Sequence, residues 1–169
     1  EGFGSWVRDT CHAAFRCQNL LAPDEARESL SYISEHGFNN GVDCAAMPAI
    51  AAWDHYITTG DIQLLYEMLP GIIKYAEEAD ARYDEEMQLV HATMCLAQDA
   101  FEEPENGGYC LGTEIAFALM YQDVARICEV TGCYPERIKF WESRSKEMLA
   151  SIKEKYWNEE KECFTSGPI

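Results

Sequence analysis

VDCAAMPAIAAWDHYITTGDIQLLYEMLPGIIKYAEEADAR, residues 42–82, decides the fold. Its first half is apolar almost all round, with Asp43 and Asp54 as its only formal charges. A helix of that composition, predicted over about 43–59, must be covered on nearly every side. Pro48 falls in its first turns, where proline is tolerated. Thr-Gly-Asp then ends the helix at Gly60 and caps the next at Asp61. That next helix, over 61–82, carries charge on one side and an apolar face on the other. Pro70-Gly71 inside it predicts a kink or a break. An inner apolar helix followed by an amphipathic outer one is one helical hairpin.

The same alternation runs outward in both directions. Residues 8–21 (RDTCHAAFRCQNLL) predict a helix with Asp9 or Thr10 near its N-cap, and Pro23 opens a charged helix over 24–36 that Gly37 ends. Downstream, 112–131 is apolar at its start (EIAFALMY), and 135–157 is amphipathic with ten charges. EVTGC at 129–133 echoes ITTGD at 57–61, so Gly132 is a second helix stop. A short strand is predicted within 86–92. Apolar first, third and fifth helices form an inner layer, and charged second, fourth and sixth helices an outer one. The fold class is all-α, an α/α toroid seen as three hairpins, and 1–169 reads as one domain.

Alternation has a geometric consequence. The N-termini of the three inner helices lie on one face, so the segments leading into them meet there. These are 4–10 (GSWVRDT), 38–43 (FNNGVD) and 96–113 (LAQDAFEEPENGGYCLGT). The last is the longest stretch without helical period, and it holds Asp99, Glu102, Glu103 and Glu105 beside Phe101 and Tyr109. A solvated acidic loop is the plain alternative. Aromatics among carboxylates, on a loop framed by rigid helices, point instead to acid/base chemistry.

Bulk properties remove several classes. A net charge of −17 over 169 residues argues against nucleic acid and anionic membrane as partners. No apolar run reaches the roughly 20 residues of a membrane span. The eight cysteines contain no C-x-x-C, and His12, His36, His55 and His91 show no H-E-x-x-H spacing, so neither metal nor cofactor is expected. Reduced core thiols and a cytoplasmic setting are expected.

Three stretches resemble a known family. WVRDT (6–10) is similar to the Trp-x-Arg-Asp opening of six-hairpin glycosidases, the glucoamylases and the glucosidase domain of glycogen-debranching enzymes. Residues 40–72 resemble the debranching-type Asp before an apolar helix, followed by its TGD turn and Leu-Pro helix. Residues 88–119 resemble its acidic loop and the Glu-bearing helix after it.

The resemblance, over about 4–157, implies the first half of an (α/α)6 barrel. It implies hydrolysis of a glycosidic bond in an oligo- or polysaccharide, an α-linked glucoside, with inversion by two carboxylic acids. The general acid comes from the loop present here. The general base belongs to the second half, so residues 1–169 alone are expected to be inactive.

Two registers compete for the acid. Asp99 precedes Ala100 as in the debranching pattern, with Ala97-Gln98 in place of Trp-Met. Glu102 follows Phe101 and precedes Glu103, with Phe for the Trp of the glucoamylase pattern. The apolar run Met94–Ala97 favours Asp99, since a protonated acid needs apolar cover or a neighbouring carboxylate. The resemblance makes Arg8 and Asp9 ligands of sugar hydroxyls, with Asp43, Glu103 and Glu114 lining the pocket and Trp6, Phe101 and Tyr109 stacking on sugar faces. Core packing is the alternative for Trp6 and Phe101, and an ordinary helix-cap ion pair for Arg8 and Asp9.

Other chemistry on the same scaffold, a lyase or an epimerase, would lean on His, Tyr or Arg. A non-catalytic helical-repeat binding module would not need the acidic loop. Three hairpins cannot close a six-hairpin ring. The flanks should therefore meet the rest of the polypeptide, or a second chain, across an apolar face.

Overall fold

The structure is a computed structural model that describes residues 7–36, 43–92 and 108–169. The first inner helix opens as α1 (Val7–Ala13), passes through a π-helical turn at Ala14–Gln18 and closes as α2 (Asn19–Leu21). Asp9 lies inside α1 rather than at its cap. The outer helix α3 (Pro23–His36) starts on proline, whose missing N–H is unbonded in a first turn anyway. The second hairpin opens with a 3₁₀ turn at Asp43–Ala46, continues as α4 (Met47–Thr59), and returns as α5 (Ile62–Asp80).

The two glycine stops behave as their positions require. Gly60 and Gly132 take φ of +79° and +70°, the left-handed conformation that lets a helix end and the chain turn back. Asp61 caps α5 by accepting from the N–H groups of Gln63 and Leu64 at 3.0 and 3.2 Å. Helix α5, however, is not broken at Pro70-Gly71 but runs unbroken to Asp80. The backbone bond that Pro70 cannot make would end on the carbonyl of Tyr66, and both residues lie on the exposed side of the helix.

Residues Tyr83–Asp84 (β1) and Leu89–Val90 (β2) pair antiparallel as a small hairpin, Tyr83 opposite Val90. The predicted strand within 86–92 is its second arm. The third helical hairpin is α6 (Leu111–Thr131), a 3₁₀ turn at Pro135–Arg137, and α7 (Ile138–Tyr156). A second small hairpin, Trp157–Asn158 (β3) with Cys163–Phe164 (β4), closes the described chain.

Helix α4 packs against both α1 and α6, while α3 and α5 lie behind α4 and α7 behind α6. The inner layer is therefore α1, α4 and α6, as the alternation requires. Three cross-links give its polarity. Asn19, ending the first inner run, donates to Asp54 in the second half of α4 at 2.7 Å. Tyr66, near the start of α5, donates to the carbonyl of Thr131 at the end of α6 at 3.1 Å. Arg27, near the start of α3, meets Asp61 before α5 at 2.9 Å. One face thus gathers inner-helix C-termini and outer-helix N-termini, which leaves the inner N-termini together on the other. The chain is three hairpins of an α/α toroid.

The core is continuous from Val7 and Cys11 through Met47, Leu65 and Met68 to Phe117, Trp141 and Tyr156. Among the described residues no helix is long and apolar enough to cross a membrane. The expectation of reduced core thiols holds for Cys11 and Cys128, which are free and buried; Cys133 is free and half-buried, while Cys17 and Cys163 are free but exposed rather than in the core. It fails at Cys110, which is disulfide-bonded. Sequence spacing could not reveal this, because disulfide partners are set by the fold and not by their separation along the chain.

Candidate functional site

Asp99, Glu102, Glu103 and Glu105 fall between the described residues Ala92 and Gly108 in the sequence. Those two residues are joined: the Ala92 N–H donates to the Gly108 carbonyl at 2.9 Å. Gly108 has φ +92°, and the His91 ring lies so close that a Cβ on Gly108 would stand 2.5 Å from its Nε2. Glycine is required there twice over, by backbone conformation and by space. The Tyr109 ring meets the His91 ring edge-on at 5.5 Å between centroids. The Tyr109 hydroxyl then donates to the Asp84 carboxylate at 2.8 Å.

Asp84 is held in turn by the N–H groups of Glu86 and Met87, both at 2.9 Å. Those backbone donors, Met87 first, and then Tyr109 keep its carboxyl below the usual range. Burial, and next the bond to Asp84, push the Tyr109 hydroxyl up to about 12. The β1–β2 hairpin is itself bolted to the outer helix. Ser151 donates to the Met87 carbonyl at 2.6 Å, and Tyr83 to Glu147 at 3.1 Å. Arg144 lies 3.7 Å over the Tyr83 ring and bonds Asp80 and Glu85, each at 2.8 Å.

Beneath this neck sits Glu114, in the first turn of α6. It is 0 % exposed, and its Oε2 accepts from the Val90 N–H at 3.0 Å. Among the described residues its Oε1 has no hydrogen-bond partner, and neither has the buried Tyr156 hydroxyl. Burial pushes the Glu114 carboxyl up to about 8, and the Val90 N–H offsets only part of that. The group is therefore held well above the range of an exposed glutamate.

The candidate residues fall into three sets. Glu114 and Tyr109 come together at the neck, Tyr109 half-buried and Glu114 wholly enclosed. Arg8 and Asp9 share the first inner helix but not a direction. Arg8 is buried, at 8 % exposure, and Asp9 is exposed, so only the arginine faces inward. Asp43 opens the 3₁₀ turn before α4, so its backbone stands at an inner-helix start as expected. Trp6, Asp99, Phe101, Glu102 and Glu103 lie outside the described residues. Among the described residues no group of three or more His, Cys, Asp and Glu is placed to hold a metal ion.

Sequence reasoning missed His91, Asp84 and the closure of the neck. A lone histidine and a lone aspartate carry no spacing signal. The Gly107-Gly108 pair was the one local hint of a tight approach.

No family model and no curated protein matches this chain. One solved structure that does match is the GH78 family rhamnosidase of Bacillus sp. GL1, with a TM-score of 0.72 at 13 % identity. The likeness is one of fold. It covers 95 % of this chain and 18 % of the rhamnosidase chain. Almost every described element is therefore shared, and this chain spans about a fifth of the rhamnosidase's length. At that identity the likeness supports the α/α fold of the three hairpins and does not single out glucoamylases or debranching enzymes.

Proposed function

We propose that the chain is part of the catalytic domain of a glycoside hydrolase that cleaves an oligo- or polysaccharide by inverting acid/base catalysis. One observation carries the reading. The acidic stretch is strung between two hydrogen-bonded residues, Ala92 and Gly108, immediately before an inner helix, on the face where the inner helices begin. Carboxylates presented from so firm a base suit proton transfer to a leaving glycosidic oxygen. Asp99 is the acid of choice and Glu102 its rival. Arg8 and Asp43, at the starts of the neighbouring inner helices, would hold sugar hydroxyls with Asp9, Glu103 and the aromatic residues Trp6, Phe101 and Tyr109. The second carboxylate, the base, would come from outside this chain. The rhamnosidase likeness and the motif resemblance to debranching and glucoamylase domains both support a glycosidase. An α-linked glucoside as substrate rests on the motif resemblance alone.

His91 and Tyr109 standing side by side favour the lyase or epimerase reading to this extent, since those chemistries use such bases. A tyrosine whose hydroxyl is held near 12 and already donates to Asp84 is a poor base, which weighs against it.

The test is turnover of a panel of aryl glycosides by the full-length polypeptide. Asp99→Asn should lower it about 10²–10⁴-fold, the usual effect of losing a general acid, and Glu102→Gln should be milder. Unchanged turnover in Asp99→Asn moves the role to Glu102. Unchanged turnover in both variants overturns the reading. The first-formed anomer, read by NMR, should be inverted.

A further inference from the structure

We propose that Glu114 is a positioning residue, a buried side chain that ties β2 to the first turn of α6 and so fixes the spacing of Ala92 and Gly108. Its functional meaning rests on the hydrolase reading; the tie itself does not.

The geometry leaves few alternatives. Glu114 lies wholly inside, two residues from Gly112 and in the same helical turn as Leu111, whose N–H is held by the Ser166 carbonyl at 2.9 Å. Its one described bond reaches Val90, the strand residue two before Ala92. The sequence Val90–His91–Ala92 therefore carries one grip below the neck and one across it. Facing Glu114 are Tyr109 from the segment before α6, Tyr121 from α6 itself and Tyr156 from α7, each of which senses its charge. Of the hairpin's side chains, Asp84 and His91 meet Tyr109 instead, and Glu85 bonds Arg144. Among the described residues these partners supply no cation.

An ionised Glu114 would thus sit in the interior with one N–H donor and an orphaned oxygen. Opening the tie lets water reach it. Opening must therefore become easier as pH rises, because the open form gives up its proton first. With the carboxyl near 8 closed and at its ordinary 4.5 open, the open fraction grows on the order of 50-fold between pH 6 and pH 8.

Amide hydrogen exchange, divided by intrinsic rates, reads this at Val90 and Ala92, with Ala52 in α4 as the reference. Wild type should lose at least tenfold of its protection at Val90 and Ala92, relative to Ala52, over that pH range. Glu114→Gln, which keeps the shape without the charge, should hold its pH 6 protection throughout. Glu114→Ala should be unprotected at every pH. Parallel profiles for wild type and Glu114→Gln would overturn the proposal, as would wild-type protection in Glu114→Ala. If the alanine variant does not fold, the glutamine comparison decides alone. Turnover separates the two ideas: the expected exchange with no glycosidase activity sinks the hydrolase reading and leaves the tie standing. A flat wild-type profile beside measurable turnover does the reverse.

Discussion

Gly108→Ala tests the neck most directly, because the structure separates its cost into two parts. The first is backbone. At φ +92° an L-residue is strained by about 1–2 kcal/mol, and no rearrangement nearby relieves it. The second is contact. The new methyl would stand 2.5 Å from Nε2 of His91, so the ring must swing away. The far end of a side chain can move, but moving it gives up the edge-on contact with Tyr109, worth about 0.5–1.5 kcal/mol. The total is roughly 2–3 kcal/mol, or a fall in Tm of about 5–10 °C for a chain of this size.

Two comparisons isolate the parts. Gly60 and Gly132 also have positive φ, but a Cβ on either meets nothing within 4 Å, so their alanine variants should show only the backbone cost. In a His91→Ala background, Gly108→Ala should likewise shrink to the backbone cost, giving a coupling energy of about 0.5–1.5 kcal/mol. Thermal and denaturant melts of the four-member cycle measure it. A Gly108→Ala protein as stable as wild type, or strict additivity with His91→Ala, would refute the reasoning.

Arg144→Met should destabilise by about 1–2 kcal/mol through the lost Asp80 pair and Tyr83 ring contact, and Arg144→Lys should recover part of it, measured by urea melts. Stability should fall as pH rises from about 5 to 8, because Glu114 and Asp123 are held up to about 8 and about 6 by burial. The folded state then binds protons that the unfolded state has released. The limiting slope is about 1.4 kcal/mol per pH unit for each group in its own window, and Glu114→Gln should remove the upper part. The open flank of α6 and α7, with Ile115, Leu119, Leu149 and Phe164 exposed, should make residues 1–169 self-associate in sedimentation. Ile115→Lys with Leu149→Lys should suppress it.

The helical alternation was legible because it is written locally. Apolar period, a glycine at each stop and a capping Asp61 need no knowledge of distant residues. Three local features misled or stayed silent. Pro70 looked like a breaker because a sequence does not show that it and Tyr66 both lie on the exposed side of the helix. The β3–β4 hairpin carries no glycine at its turn; Glu162 takes φ +51° instead, so no turn signal marks it. The π turn at Ala14–Gln18 likewise has no compositional trace.

At the site, Glu114 was visible as an acidic residue in a first turn, which ordinarily means a solvated dipole partner. Its enclosure depends on β2, brought across from residues 89–90, and that is a tertiary fact. Arg8 and Asp9 read as a unit in sequence, yet one helical step, about 100°, turns them to different surroundings. Asp99 and Glu102 remain carried by their neighbours in sequence and by the firmness of the neck that frames them.

The Ala92–Gly108 bond also bears on how such a domain can change over generations. Because the chain's departure and return are pinned side by side, the helices on either side do not register how many residues run between them. Doubling a loop's length raises its closure free energy by only about 0.6 kcal/mol. A change in the number of residues between 93 and 107 should therefore cost the scaffold little, provided that the Cys110 disulfide is kept. On the proposed reading, selection can lengthen or shorten the segment that bears the candidate acid without reopening the core.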